Sequence, residues 1–171
     1  MDPKTLGAGF AQILLLAIFV LPAIFFILTQ QQTLKVVRRE YRELSPVLVW
    51  LQLIPIFSYF WVFVVVTRIA DSLSKEIIVR QEDSILGIPD FDAVGAINRR
   101  PTYKIGMAYC FLYVACPVCV ILVNLFAAPG SGMIDQVFPF VLGIILLAMM
   151  ACWIVYWVQL AQNKRKLERF Q

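Results

Sequence analysis

The sequence predicts an all-α integral membrane protein, on three observations: its composition, the length of its apolar runs, and where its positive charges fall. Of 171 residues, 61% are hydrophobic and 15% charged, against about 45–50% and about 25% in an ordinary soluble domain. Mean hydropathy is +0.80, and such a chain has too few polar residues to cover a soluble core. Four apolar runs, Leu6 to Thr29, Val47 to Val66, Ile105 to Ala128 and Ile134 to Leu160, each reach the roughly 20 residues a helix needs to cross about 30 Å of hydrocarbon. None shows the alternating segments of about 10 residues that mark a membrane β-barrel. A single helical membrane domain over residues 1–171 is expected, with polar helical connections at 30–46 and 68–104.

The first run is longer than the roughly 7–15 residues of a secretion-signal core, and no small-x-small cleavage site follows it. Its lead, MDPK, has no net charge. It is therefore expected to stay as the first membrane helix, bent rather than broken at Pro22. In the first connection, Gln30 to Leu44, the residues Leu34, Val37, Tyr41 and Leu44 recur at helical spacing, with Lys35, Arg38, Arg39 and Arg42 on the remaining face. That pattern predicts a helix on or rising from the membrane, its basic groups near phosphate headgroups; a solvated helical extension fits it equally. Ser45 and Pro46 then suit the cap and first position of another helix.

The basic residues decide how the second run is read. The first connection has Lys35, Arg38, Arg39 and Arg42; the second has Arg68, Lys75, Arg80, Arg99, Arg100 and Lys104; the tail has Lys164, Arg165, Lys166 and Arg169, and Ala128 to Gln136 has none. The positive-inside tendency puts the three basic segments, including the C-terminus, in the cytoplasm. Four ordinary spans would separate the first two. A re-entrant pair, roughly Val47 to Ile54 and Ile56 to Val66, turning at Pro55, keeps all three together and leaves three full spans plus a hairpin. The alternative is four transmembrane helices, the second kinked at Pro55. A turn at membrane depth needs partners for its freed amides and carbonyls, which Gln52, Ser58 or a neighbouring subunit could supply.

Beyond that run, Arg68 to Glu82 continues helically with Ile69, Leu73 and Ile77 on one side, while the neighbours Lys75 and Glu76 do not face each other. Gly87, Pro89, Asp90 and Asp92 mark a loop, and Ala93 to Asn98 a short helix. Pro129, Gly130 and Gly132 suit a tight turn, and Pro139 starts or bends the last helix. Arg99, Arg100, Lys164, Arg165, Lys166 and Arg169 join the first connection's cations as candidates for contact with anionic headgroups. That role accounts for the formal charge of +4. No recognition helix, zinc finger or aromatic-laced basic stripe points to nucleic acid.

Chemistry is sparse. Cys116 and Cys119 form CPVC, a spacing that supports thiol exchange where a thiolate is stabilised; apolar surroundings disfavour that thiolate. With Cys110 and Cys152 the pair could hold a soft metal, but the chain has no histidine, and cysteine is a small, readily buried residue in its own right. Gln12, Gln52, Asn124 and Gln159 are isolated polar groups in apolar runs, with no acidic ring or selectivity loop. Neither a carboxylate pair suited to hydrolysis nor a glycine-rich phosphate loop is present. No cofactor is expected.

The stretch Thr33 to Leu73 resembles small, largely uncharacterised bacterial inner-membrane proteins with a polar helix followed by a WLxLIPxFxxxWxF…IADSL-like region. Trp50, Leu51, Leu53, Ile54, Pro55, Phe57, Trp61, Phe63, Ile69, Ala70, Asp71, Ser72 and Leu73 carry the likeness. It implies a multi-pass protein of the bacterial inner membrane and no established activity, and CPVC departs from the pattern. The reading is a non-enzymatic helical membrane protein, an oligomeric channel or small-solute transporter, with Gln52, Pro55, Ser58 and Asn124 as structural or pore candidates. A thiol oxidoreductase or soft-metal protein using CPVC is one alternative, and a structural membrane scaffold another.

Overall fold

A computed structural model describes the backbone of residues 3–83, 100–126 and 132–169, and the side chains of 20–80, 100–125 and 137–169. Its elements are α1 (Pro3–Val36), a 3-10 turn (Arg39–Tyr41), a 3-10 segment (Pro46–Leu53), α2 (Pro55–Asp83), α3 (Tyr103–Phe126) and α4 (Gly132–Glu168). No strand occurs among the described residues, and the protein is an all-α membrane protein. Three stretches described in full, Pro55–Arg80, Tyr103–Leu125 and Val137–Glu168, are long and apolar enough to cross a membrane. The first apolar run lies within α1, a single helix of 34 residues that keeps Pro22 inside it. Pro117 and Pro139 are likewise inside α3 and α4.

Contacts fix the helix directions. Trp157 Nε1 donates to Thr29 Oγ1 at 2.9 Å and Lys164 Nζ to Gln32 Oε1 at 2.8 Å, so α1 and α4 run the same way. α2 runs with them: Val62 packs against Phe26 near its start, and the Arg38 amide beyond α1 donates to Glu76 further along. α3 runs opposite, with Tyr113 beside Ser58 and Gly106 beside Val66.

Two buried clusters hold the bundle. In one, the Phe26 ring meets Tyr109, Trp153, Tyr156 and Trp157 edge-on, with centroids 5.6–6.2 Å apart, the geometry that sets a positive ring edge against a negative ring face. The other joins α1, the first connection, α2 and α4 through Leu34, Val37, Val49, Ile69, Leu73 and Leu160, all at most 1% exposed.

The first connection departs from the single helix expected over Gln30 to Leu44. α1 runs on to Val36 and stops, because Arg42 Nη2 reaches back to the carbonyls of Lys35 (3.2 Å) and Val37 (2.9 Å) and satisfies acceptors that a continuing helix would have used. Leu34, Val37 and Leu44 are core residues, so their spacing reports packing on α2 and α4. Pro46 does open the next element, but as a 3-10 helix, and Ser45 makes no capping bond. Predictions for 84–99, among them the Gly87–Asp92 loop, the Ala93–Asn98 helix and Arg99, lie outside the described residues, as does most of the turn before Gly132.

At Ile54 the chain reverses. Pro46–Leu53 and the start of α2 lie against each other, tied by Trp61 Nε1 donating to the Leu48 carbonyl at 2.8 Å. The two residues sit symmetrically about Ile54 and Pro55, where the notional Val47–Ile54 and Ile56–Val66 arms were expected to meet.

Gly106 lets α3 sit close to both neighbours. A Cβ there would fall 2.5 Å from Val66 Cγ1 and 2.9 Å from Tyr156 Cε2, whereas one at Gly143 would meet nothing within 4 Å. Gly106→Ala is expected to lower stability by about 1–3 kcal/mol, the usual range for overpacking, and Val66→Ala in that background to recover part of it. Gly143→Ala should leave the thermal midpoint in detergent unchanged.

Candidate functional site

Around the reversal at Ile54, backbone and side-chain donors both meet backbone carbonyls. Pro55 opens α2 and has no amide hydrogen to lose. The Ile54 amide donates to the Leu51 carbonyl at 3.2 Å, and the Ser58 amide to Ile54 O at 2.8 Å. Ser58 Oγ donates to Pro55 O at 2.7 Å, and Gln52 Nε2 to Val49 O at 3.2 Å. Gln52 and Ser58 thus each bond a backbone carbonyl three residues back, on either side of the turn.

The same side chains floor a chamber. A cavity of about 460 Å³ lies between the hairpin tip and the three long helices, walled by Pro22 and Phe26 of α1, Leu53, Tyr109 and Tyr113 of α3, and Trp153 of α4, with Gln52 and Ser58 at its base. That volume is within the roughly 300–1,000 Å³ of small-molecule sites. Gln52 Nε2 also donates to Gln30 Oε1 at 2.6 Å, and Ser58 Oγ is 3.2 Å from the Tyr113 hydroxyl. Among the described residues, no charged one lines it. No protein family, curated protein or solved structure compared with the chain matches it.

A second constellation, at the basic end, holds the hairpin's outer arm in place. Glu76 is fully buried; its carboxylate accepts from Arg80 Nε at 2.6 Å and from the Arg38 amide at 3.0 Å, while Arg80 Nη1 donates to Leu167 O at 2.6 Å. One carboxylate therefore joins the first connection to α2 and, through Arg80, to the end of α4. Beside it Glu43 accepts from Arg68 at 2.7 Å and from Lys75, and its amide donates to Ser72 Oγ at 2.9 Å. Lys75, then Arg68, holds the Glu43 carboxyl below its ordinary range. Asp71 pairs with Arg100 at 3.1 Å.

The other sequence candidates scatter. Asn124 is exposed on α3 and donates to Val120 O at 2.7 Å, away from the chamber. Cys110 is buried in the aromatic cluster, Cys116 and Cys119 are partly exposed on α3, and Cys152 is on α4. No group of three or more His, Cys, Asp or Glu side chains comes together among the described residues. Of the basic candidates, Arg38, Arg42, Arg100 and Lys164 have protein partners, and Lys35, Arg39, Arg165, Lys166 and Arg169 are exposed. Sequence reasoning missed Gln30, Glu43, Tyr113 and Glu76. The i,i+4 order of Glu76 and Arg80 was a readable signal; nothing local marked the others.

Glu76→Gln keeps the side chain's shape but leaves Arg80 buried without its counter-charge, and is expected to cost about 3–5 kcal/mol in unfolding experiments. Adding Arg80→Met should return part of the loss. Because the folded Glu43 carboxyl is lowered, its stabilisation is complete above the ordinary glutamate value of about 4.3 and is lost as pH falls through the lower folded value. Hydrogen exchange of the first connection should therefore speed up only under acid, and Glu43→Gln should remove that pH dependence.

Proposed function

We propose that this is a non-enzymatic small-solute transport protein of the bacterial inner membrane, with its solute held in the chamber above a re-entrant hairpin. The observation that carries the reading is the chamber: a cavity of about 460 Å³ with a polar base and apolar walls, at a level where all three flanking helices are within their apolar runs. Three facts support a hairpin that turns back within the bilayer. Pro46–Leu53 has 8 residues, about 16 Å at the 3-10 rise of about 2.0 Å, half of the roughly 30 Å core. Its tip residues Leu53, Ile54 and Ile56 are 51%, 50% and 81% exposed, a cost in water and none in hydrocarbon. From Arg68 onward α2 carries charge, and those charges pair with the first connection, so the two basic segments share a side.

In this reading α1, α3 and α4 are full spans, the basic segments and C-terminus face the cytoplasm, and Lys35, Arg39, Arg165, Lys166 and Arg169 meet anionic headgroups. Single cysteine reporters at Glu40, Ser84 and Ser131, in a background without the four native cysteines, test the topology. Glu40 and Ser84 should label from one side and Ser131 from the other; labelling of Glu40 and Ser84 from opposite sides makes the second run a complete span and ends the hairpin reading. For the chamber, native mass spectrometry of the full chain from its own membrane should show a retained small molecule. Ala23→Trp, which narrows the chamber, should weaken its retention without loss of folding. No retained molecule together with no saturable flux in vesicles overturns the transport reading.

A further inference from the structure

The chamber's polar groups specify more than its size does. Ser58 has one hydroxyl hydrogen, committed to Pro55 O at 2.7 Å, so in the 3.2 Å contact with Tyr113 it is the tyrosine that donates. Both hydrogens of Gln52 Nε2 are used, on Gln30 Oε1 and Val49 O. The Val49 carbonyl can only accept, which sets the orientation of the Gln52 amide. What is left to a solute is mixed: as acceptors, Gln52 Oε1, without a partner among the described residues, and the remaining lone pairs of Tyr113; as donors, the Tyr109 hydroxyl and the Trp153 indole N–H, both on lining residues and both without a partner among the described residues. Behind Gln52, the Gln30 Nε2 donor is buried without a partner.

The walls exclude charge. Pro22, Ala23, Phe26, Ile27, Met149 and Trp153 are typical of the lining, which among the described residues holds no Lys, Arg, Asp or Glu. A phosphate, carboxylate or ammonium placed there would be desolvated without a counter-ion. Methionine and aromatic walls adapt to a flexible hydrocarbon. Resting on the transport reading above, we propose that the solute is a neutral amphiphile of the long-chain alcohol class: a hydrocarbon body against α1, α3 and α4, and an uncharged hydroxyl donating to Gln52 Oε1 or the Tyr113 oxygen. Ketones and esters, which only accept, leave Gln52 Oε1 without a donor, whereas a hydroxyl can donate to it and also accept from Tyr109 or Trp153. Free fatty acids and phospholipid headgroups find no cation.

The test uses the full chain in phosphatidylcholine vesicles with three photoactivatable probes of one chain length, ending in a hydroxyl, a carboxylate or a methyl group. The alcohol should label Tyr109–Tyr113 and Met149–Trp153 saturably, with competition by unlabelled long-chain alcohol. Gln52→Met and Tyr113→Phe, checked for an unchanged thermal midpoint, should each weaken alcohol labelling roughly tenfold, the scale of one lost hydrogen bond, and leave methyl-probe labelling as it was. Equal or stronger labelling by the carboxylate probe overturns the class. Equal labelling by all three, indifferent to Gln52→Met and Tyr113→Phe, also overturns it and shows a chamber filled by ordinary acyl chains. Should no probe reach the chamber while all label lipid-facing positions, the chamber reading itself fails.

Discussion

The arrangement depends on one buried carboxylate. Glu76 has no exposed surface, and taking it from water is affordable only because Arg80 and the Arg38 amide meet both its oxygens. Each partner belongs to a different part of the chain, and Arg80 passes the connection on to the Leu167 carbonyl of α4. Apolar packing alone would hold α2 somewhere along α1 and α4, since hydrocarbon contacts are non-directional. The Glu76 bonds set where along them it sits. With that end pinned, the level of Pro55, a fixed helix length away, is determined too, and with it the floor of the chamber.

The hairpin shows a related economy. Serine, glutamine and tryptophan in an apolar run would ordinarily suggest a pore or site, and here each donates to a backbone carbonyl near the turn. Ser58 takes Pro55 O, Gln52 takes Val49 O and Trp61 takes Leu48 O. These bonds take up the donors of Ser58 and Gln52 and leave Gln52 Oε1 free, while Tyr109 and Trp153 of the cavity lining keep their own donors.

Much of the fold was legible because bilayer physics writes it in long runs. Helix length, the polar interruptions and the reversal at Pro55 follow from apolar span, charge placement and one proline. Gln52 and Ser58 flank the turn that the proline marks, and each bonds a nearby backbone carbonyl. The site's remaining members were not legible, since Tyr113 and Trp153 reach the chamber from helices distant in sequence, and only helix register shows that they face it. The basic residues were half legible. That the basic segments gather at one end of the bundle can be inferred by counting, but a count cannot separate Arg42, which ends α1, or Arg38, bound to Glu76, from the exposed Lys35 and Arg39. The Ile69, Ala70, Ser72 and Leu73 run is fully buried, with Asp71 turned to Arg100; its composition reflects a crowded contact with the first connection.

The chamber's position also follows from where burial stops. α2 fills the basic half of the bundle and starts only at Pro55, so above that level α3 and α4 have no fourth partner: Ile121, Leu125, Phe140 and Leu147 are each more than 60% exposed. Residues so placed face lipid at no cost. Met150, on the chamber wall, is itself 44% exposed, so the wall on the α4 side is continuous with the lipid-facing surface. A molecule already dissolved in the bilayer reaches such a site sideways, without crossing a headgroup layer, and gives up little apolar solvation in doing so. Its hydrocarbon body therefore contributes little selectivity, since lipid and chamber are equally apolar. The discrimination falls on its polar end, where the hairpin offers acceptors that lipid tails lack.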